Sequence, residues 1–410
     1  MNKKIILFAL ALIISVSCTG CWDRLEIEEL GIIVGMAFDI AHHEDDKQSG
    51  DNDQENAVSS DEMEDMEEGN VKGNFKMTLQ YVYPKSMGGE SSGNSIPQEP
   101  YINIQSEGTT VLHLINDVYN VSSRVPRYDH LKTIVISEEL ARSYNLYKFL
   151  NAVMKHPEIP YTCVVVISDG PASSIFELEP DLEALPAFEV NSLARVVKYT
   201  ANRPRYITFG TLARYMANNR SFAIQRVSCE NGILKITGAA VIKAGEFKFA
   251  GWLNERETEG LNWLMSDAEG GILEVISEKT GEIVSCWVAK DDCKITPVIK
   301  DNKIDFKVEV EAEAIIVEDW AMSFNAIKQN YIKEIETYMV KEAEDIIKTT
   351  LNKIQKECKA DVANFGRTVK NKYPELWKNI KDNWDEEFSK AEIDVKVKLN
   401  LRASARKVSK

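Results

Sequence analysis

A chain of 410 residues with 44% hydrophobic, 28% charged and 9% aromatic side chains has the makeup of a globular protein of about two to four domains. Collagen-like, wholly disordered and polytopic membrane classes are excluded. The formal charge of −15 is concentrated: residues 42–70 hold twelve Asp/Glu and one Lys, a net −11, which leaves −4 elsewhere. Neither part offers the Lys/Arg surface that phosphate neutralisation needs, so general nucleic-acid binding is disfavoured.

Lys3 and Lys4 precede twelve uncharged residues, 5–16. The run is too short to span a bilayer, which takes about 20 apolar residues, and has the length of a signal-peptide core. Ser17-Cys18-Thr19-Gly20-Cys21 follows, then the polar Trp22-Asp23-Arg24. Small residues ending in Gly20 directly before Cys21 look like a bacterial lipoprotein cleavage site, with residues 1–20 the cleaved signal. Cys18 stands where such sites carry Leu and is a rival anchor; an ordinary secretory signal with an incidental Cys is the other alternative. One acyl chain holds a membrane marginally, so stable anchoring through Cys21 calls for more than one, as a diacylglycerol thioether with an added palmitate would give.

Residues 31–40 (GIIVGMAFDI) read as a buried strand. The acidic stretch 42–70 lacks the apolar residues to bury a core and reads as a disordered insertion between strands. Phe75, Met77, Leu79, Tyr81 and Tyr83 alternate as a strand, and 85–100 is a Gly/Ser/Pro loop. Residues 106–122 show helical periodicity, 132–137 and 162–168 are short buried strands, and 138–154 make one or two helices between them. A Pro/Glu-rich run then leads to a boundary near 186–191. Next come a helix near 208–219, a hairpin of 234–243 with 246–253, a helix over 255–265, and strands near 272–277 and 283–289.

Ile304, Phe306, Val308, Val310, Ala312, Ala314 and Ile316 alternate with charged residues, a long strand with one wet face. Residues 325–362 carry apolar side chains every three or four positions, a long amphipathic helix. Ile393, Val395, Val397, Leu399 and Leu401 form a returning strand, and the two wet-faced strands suggest antiparallel pairing. The fold class read from this order is α+β. Three domains are expected, each a mixed or antiparallel β-sheet flanked by helices: 21–190 with the insertion at 42–70, 191–295, and 296–410 with the long helix 325–362.

Signals for catalysis are weak. Gly89-Glu90-Ser91-Ser92-Gly93 has nucleophile-elbow spacing but lies in a polar loop. Lys279-Thr280-Gly281 lacks its companion motifs, and a strand turn explains it. Asp51, Asp53, Glu55, Ser59 and Glu62 fall at calcium-loop spacing, yet Asn56 replaces the turn Gly and no helices flank it. The five His show no metal spacing, and five mature Cys are neither a disulfide framework nor a zinc motif; Cys286 and Cys293 flank a turn and are the one pair worth testing. No catalytic constellation and no cofactor or metal site is expected.

A set of blocks recurs in order along the chain. They are Gly20-Cys21-Trp22-Asp23-Arg24, then Glu29-Leu30-Gly31-Ile32-Ile33-Val34-Gly35, His130-Leu131-Lys132 and Ser137-Glu138-Glu139-Leu140-Ala141-Arg142. After them come Gly238-Ala239-Ala240-Val241-Ile242, Gly251-Trp252-Leu253-Asn254-Glu255 and Gly260-Leu261-x-Trp263-Leu264. Asp361-Val362-Ala363-Asn364-Phe365-Gly366-Arg367, Tyr373-Pro374-x-x-Trp377 and Trp384-Asp385-Glu386-x-Phe388 close the series. Jointly these resemble the Ger(x)C family, the C-subunit lipoproteins of spore germinant receptors. Cys18 and the 42–70 insertion depart from the pattern.

The resemblance implies a non-enzymatic, three-domain lipoprotein on the outer face of the inner spore membrane. It implies action with two integral-membrane subunits, A and B, in a complex that answers small nutrient germinants. Trp22, Asp23 and Arg24 would lie beside the anchor on Cys21 and nearest those partners. Trp252, Asn254 and Arg367 are either partner contacts or domain-packing residues, with packing favoured. The competing reading is a solute-binding lipoprotein of an importer, which would show two repeated parallel βα lobes around a deep polar pocket.

Overall fold

The computed structural model describes residues 29–42, 74–82, 100–180, 182–197, 199–300, 303–320 and 329–403. The signal segment, Cys21, Trp22, Asp23, Arg24, nearly all of the 42–70 insertion and the 83–99 loop lie outside them.

Among the described residues, ten strands form one sheet. Its centre is β1 (Leu30–Ile40), flanked on one side by β2 (Phe75–Val82) and β3 (Tyr101–Gly108), with the short β4 (Val125–Arg127) on its first residues. On the other side lie β5 (Thr133–Ser137), β6 (Val164–Ser168), β8 (Phe222–Glu230), β9 (Ile233–Ile242) and β10 (Phe249–Leu253), while β7 (Ile207–Thr208) adds to β6. β1, β5, β6 and β8 run parallel, and antiparallel hairpins extend both edges. The parallel centre is covered on both faces, which is why TIVIS and VVVIS are apolar but for Thr133, Ser137 and Ser168, and every residue in them is buried.

One face packs on α1 (Val111–Val121) and the short helices α2 (Glu138–Ser143), α3 (Leu146–Phe149) and α4 (Asn151–Lys155). The other face packs on a 3-10 turn (Ser173–Phe176) and α5 (Pro186–Arg195). The helix expected over 106–122 begins later. Residues 106–108 still belong to β3, and Thr110 caps α1 by accepting from the His113 N–H at 3.1 Å. The apolar period carries across that junction, so it hides the change of element. The acidic insertion sits in the β1–β2 hairpin connection, where Ala41 N–H meets the Asn74 carbonyl at 2.9 Å. An insertion at a hairpin end leaves the strand register intact.

The second sheet orders β11 (Ile272–Ile276), β12 (Ile283–Lys300), β13 (Lys303–Asp319) and β14 (Ile393–Ala403). α6 (Phe209–Ala217) belongs with the first sheet, while α7 (Glu255–Met265) and α8 (Gln329–Asn352) pack on the second. β14 runs parallel to β13, from Phe306 opposite Ile393 to Ile316 opposite Ala403, and this corrects the antiparallel reading. Period-two alternation reports which face is wet and carries no information on direction. α8, about 36 Å long at 1.5 Å per residue, returns the chain as a crossover.

The long helix also stops short of residue 362. α8 gives way to a π turn (Lys353–Glu357), and Lys359 takes a left-handed φ of 46°. Cys358 and Val362 stay buried beyond it, so their spacing mimics helix where there is none. Cys163, Cys229, Cys286, Cys293 and Cys358 are all free. Cys286 and Cys293 lie seven residues apart on β12, about 23 Å along a strand, whereas a disulfide needs Cα atoms within about 7 Å.

The boundary drawn at 190/191 falls inside α5, and that at 295/296 falls inside β12. Strands on either side of the first are joined by β6–β8, through Ile167 with Arg226 and Ser168 with Val227. A Pro/Glu-rich run marked the first boundary, but hydrogen bonding between distant strands sets which segments share a sheet.

Glu259 on α7 is pushed up to about 7 by burial, against the opposing pull of Trp263 and Arg256. Its folded value lies above the ordinary 4.5. The ionised form therefore opposes folding above about pH 7, and the opposition fades as pH falls towards 4.5. Glu259→Gln is expected to add about 1–3 kcal/mol near pH 8 and almost nothing near pH 4, read from urea midpoints at the two pH values.

Candidate functional site

The last sequence blocks, from Asp361 to Asp385, gather where the two sheets meet. Asp361 lies in the loop after the π turn. Its carboxylate accepts from the backbone N–H of Phe365 at 2.9 Å and of Gly366 at 2.6 Å, and from the Trp384 indole at 3.0 Å. Burial pushes this carboxyl up from the usual aspartate range, and the three donors with the nearby Arg220 pull it back. The acceptor thereby joins the start of α9 (Phe365–Lys372) to α11 (Trp384–Lys390), with α10 (Pro374–Ile380) between them. Gly366 lets the Trp377 and Trp384 rings close over the backbone: a Cβ there would stand 2.8 Å from the Trp384 Nε1. Phe365 meets Phe306 edge-on at 4.9 Å, which seats α9 on β13.

Arg220, from the turn between α6 and β8, reaches across from the first sheet and donates to the Asn364 side chain. Asn364 takes a left-handed φ of 67°, tolerated by Asn, and its amide donates to the Met265 sulfur at 3.2 Å. Lys243 at the β9–β10 turn approaches Asp385 at 3.8 Å as a second crossing. Burial pushes Asp385 up to about 6, and Lys243 opposes that. Between these crossings lies a cleft of about 670 Å³ lined by groups that include Asn219, Arg367, Lys370 and Trp377. Its size suits a small molecule, and its walls are amide, cationic and acidic groups.

A second cleft, of about 560 Å³, opens at the carboxyl ends of β1, β5 and β6. Crevices of that position commonly take ligands in parallel sheets. Here the buried Asp39 accepts from the N–H groups of Ala172 at 2.6 Å and Ser173 at 2.9 Å, which satisfies its carboxylate inside the fold. His42 pairs with Glu139 at its rim at 2.9 Å.

The sequence candidates separate accordingly. Trp252 donates to Glu138 at 3.0 Å and lies 5.2 Å under the Arg226 guanidinium, which pairs with Asp169. It fastens β10 to α2 and β8. Asn254 caps α7 in a reciprocal capping box with Glu257, both bonds at 2.8 Å. Arg367 is exposed and lines the larger cleft. Cys21, Trp22, Asp23 and Arg24 lie outside the described residues. Sequence reading missed Arg220 and Lys243, because each is a lone cation in a turn whose partner is more than a hundred residues away. It also missed Gly260 as a contact point: a Cβ there would stand 2.7 Å from the Ile346 carbonyl, so glycine is what lets α7 lie against α8.

Among the described residues no group of three or more His, Cys, Asp or Glu is placed to hold a metal ion, and no helix is long and apolar enough to cross a membrane.

The comparisons agree with the blocks. The Spore germination protein N-terminal domain matches residues 23–228, and the Spore germination B3/GerAC like C-terminal domain matches 237–405. Their division falls in the β8–β9 hairpin. The chain is 30% identical over 408 residues to Spore germination protein YndF of Bacillus subtilis (strain 168), covering 98% of this chain and 97% of that one. It is 27% identical over 397 residues to Spore germination protein B3 of the same organism, covering 96% of each. It is 28% identical over 388 residues to that organism's Spore germination protein A3, covering 94% of each. The crystal structure of the GerBC protein shares the fold, with a TM-score of 0.57 at 24% identity over 81% of this chain and 94% of that one. The multi-domain α+β class and the resemblance to Ger(x)C both stand, and the chain belongs to the Spore germination B3/GerAC like family.

Proposed function

We propose that the chain is the lipid-anchored C subunit of a spore germinant receptor, acting by assembly or sensing without catalysis of its own. The observation that carries this reading is the match of both halves, 23–228 and 237–405, to spore germination domains. The packing supports it. The residues of the sequence blocks lock helices and sheets together at Asp361, Gly366, Trp252 and Asn254 instead of gathering reactive groups in one cleft. Lipid on Cys21 holds the body on the outer face of the inner spore membrane, beside the integral-membrane A and B subunits, with Trp22, Asp23 and Arg24 nearest to them. Exposed Arg367 is the remaining partner contact from the sequence set.

Deleting the chain is expected to slow germination at least tenfold for one nutrient class while growth is unchanged, read as loss of spore refractility over time. Normal germination on every nutrient, with lost uptake of one solute, would replace this reading with the importer lipoprotein. Purifying the detergent-solubilised complex through the full chain is expected to bring down two polytopic membrane proteins.

A further inference from the structure

We propose that the free edge of the second sheet, β11, is a docking site for an extended segment of another protein, one that reads apolar-x-Lys/Arg-x-apolar and adds to the sheet as a fifth strand. The two edges of this sheet differ. At β14 the outward N–H groups of Val397 and Leu401 donate to Glu344 and Glu336 of α8, at 3.4 and 3.0 Å, and the wet face carries Lys396, Lys398 and Arg402. Capped donors and surface cations are how natural sheets close an edge. β11 pairs with β12 alone among the described strands and carries no cation.

The wet face beside that open edge is apolar. Ile272 is 62% exposed and Ile276 64%, and Trp287 across from Ile272 is 45% exposed. Ile315 continues the first row on β13, and Ile283 sits opposite Ile276. Between the two apolar rows runs an acidic one. Glu274 lies opposite Ser285, which donates to it at 3.1 Å, and Glu318 lies beyond. Successive residues on one strand face are about 6.7 Å apart, so a strand laid along β11 meets apolar, acidic and apolar positions in turn. Apolar, basic and apolar side chains in that order complete all three rows, and the outer β11 backbone, unpaired among the described strands, supplies the ladder.

Charge complementarity selects this occupant. A second copy of β11 (ILEVI) has no cation to answer Glu274 in any register, and the symmetric one sets Glu274 against itself. An anionic lipid surface is repelled by Glu274, Glu282 and Glu318. The inference rests on this surface alone and stands apart from the receptor reading.

The test places the photo-cross-linking residue p-benzoylphenylalanine at position 276 of the full chain, and at 396 as the control on the charged end of the same face, in the cells that make the protein. Adducts are mapped by mass spectrometry. The expected result is an adduct at 276 to a segment of a different protein with the apolar-x-Lys/Arg-x-apolar pattern. Its yield should fall at least fivefold with Glu274→Lys and hold with Glu309→Lys, while both variants keep the parent thermal midpoint. A Lys→Glu change in the captured segment should restore the Glu274→Lys adduct. Adducts to lipid, to a second copy or to a segment without the pattern, a yield indifferent to Glu274→Lys, or no adduct above the 396 control would each overturn the proposal.

Discussion

Asp361→Ala is expected to destabilise the C-terminal unit by about 3–5 kcal/mol. Three donors, the Phe365 and Gly366 N–H groups and the Trp384 indole, point at one carboxylate and would be left buried without an acceptor. An unmet buried donor costs about 1–3 kcal/mol, and donors sharing one acceptor are not additive, which sets the upper end of the range. Asp361→Asn retains one acceptor oxygen and should lose about half as much. Urea unfolding followed by tryptophan fluorescence measures both, since Trp377 and Trp384 report the site directly. A loss below about 1 kcal/mol for the alanine variant would mean that water or another group takes over the acceptor role. Arg220 adds the crossing to the first sheet, so Arg220→Ala should separate the unfolding of the two sheets into distinct transitions while costing less than Asp361→Ala.

The second large effect concerns the membrane. Cys21→Ala is expected to move more than about nine-tenths of the chain from washed membranes to the soluble fraction, because removing several acyl chains removes roughly 0.8 kcal/mol per buried methylene. Germination should fall with it, towards the deletion phenotype. Retention of the Cys21→Ala protein, with release by Cys18→Ala, would assign the anchor to the upstream cysteine. Retention of both variants would remove the lipid anchor from the functional proposal. Mass spectrometry of the mature amino terminus gives the same answer independently.

Elements whose identity is a local property were legible in the chain. The helix over 255–265 matches α7, with Asn254 as its cap. The hairpin around Ala244 and Gly245 joins β9 to β10, and the alternation from Ile304 to Ile316 lies within β13. Each of these rests on a period of 3.6 or 2, a cap or a turn, and neighbours in sequence carry all of that information. The sequence blocks likewise marked the residues that the packing uses, and the family followed from their order. The contacts of Trp252 with Glu138 and of Asn254 with Glu257 are visible only in the folded chain.

Distance in the chain is where reading stopped. The parallel direction of β14, the continuity of ten strands through β6 and β8, and the early end of α8 depend on which surfaces meet. Alternation and periodicity are blind to that choice. The clearest case is the contact of Arg220 with Asn364, 144 residues apart, between a turn and a loop that are each unremarkable alone. A side chain's own neighbours fix whether it faces water, but its partner is chosen by the folded chain, because burial of a polar group is stable only where a complementary group is brought to it.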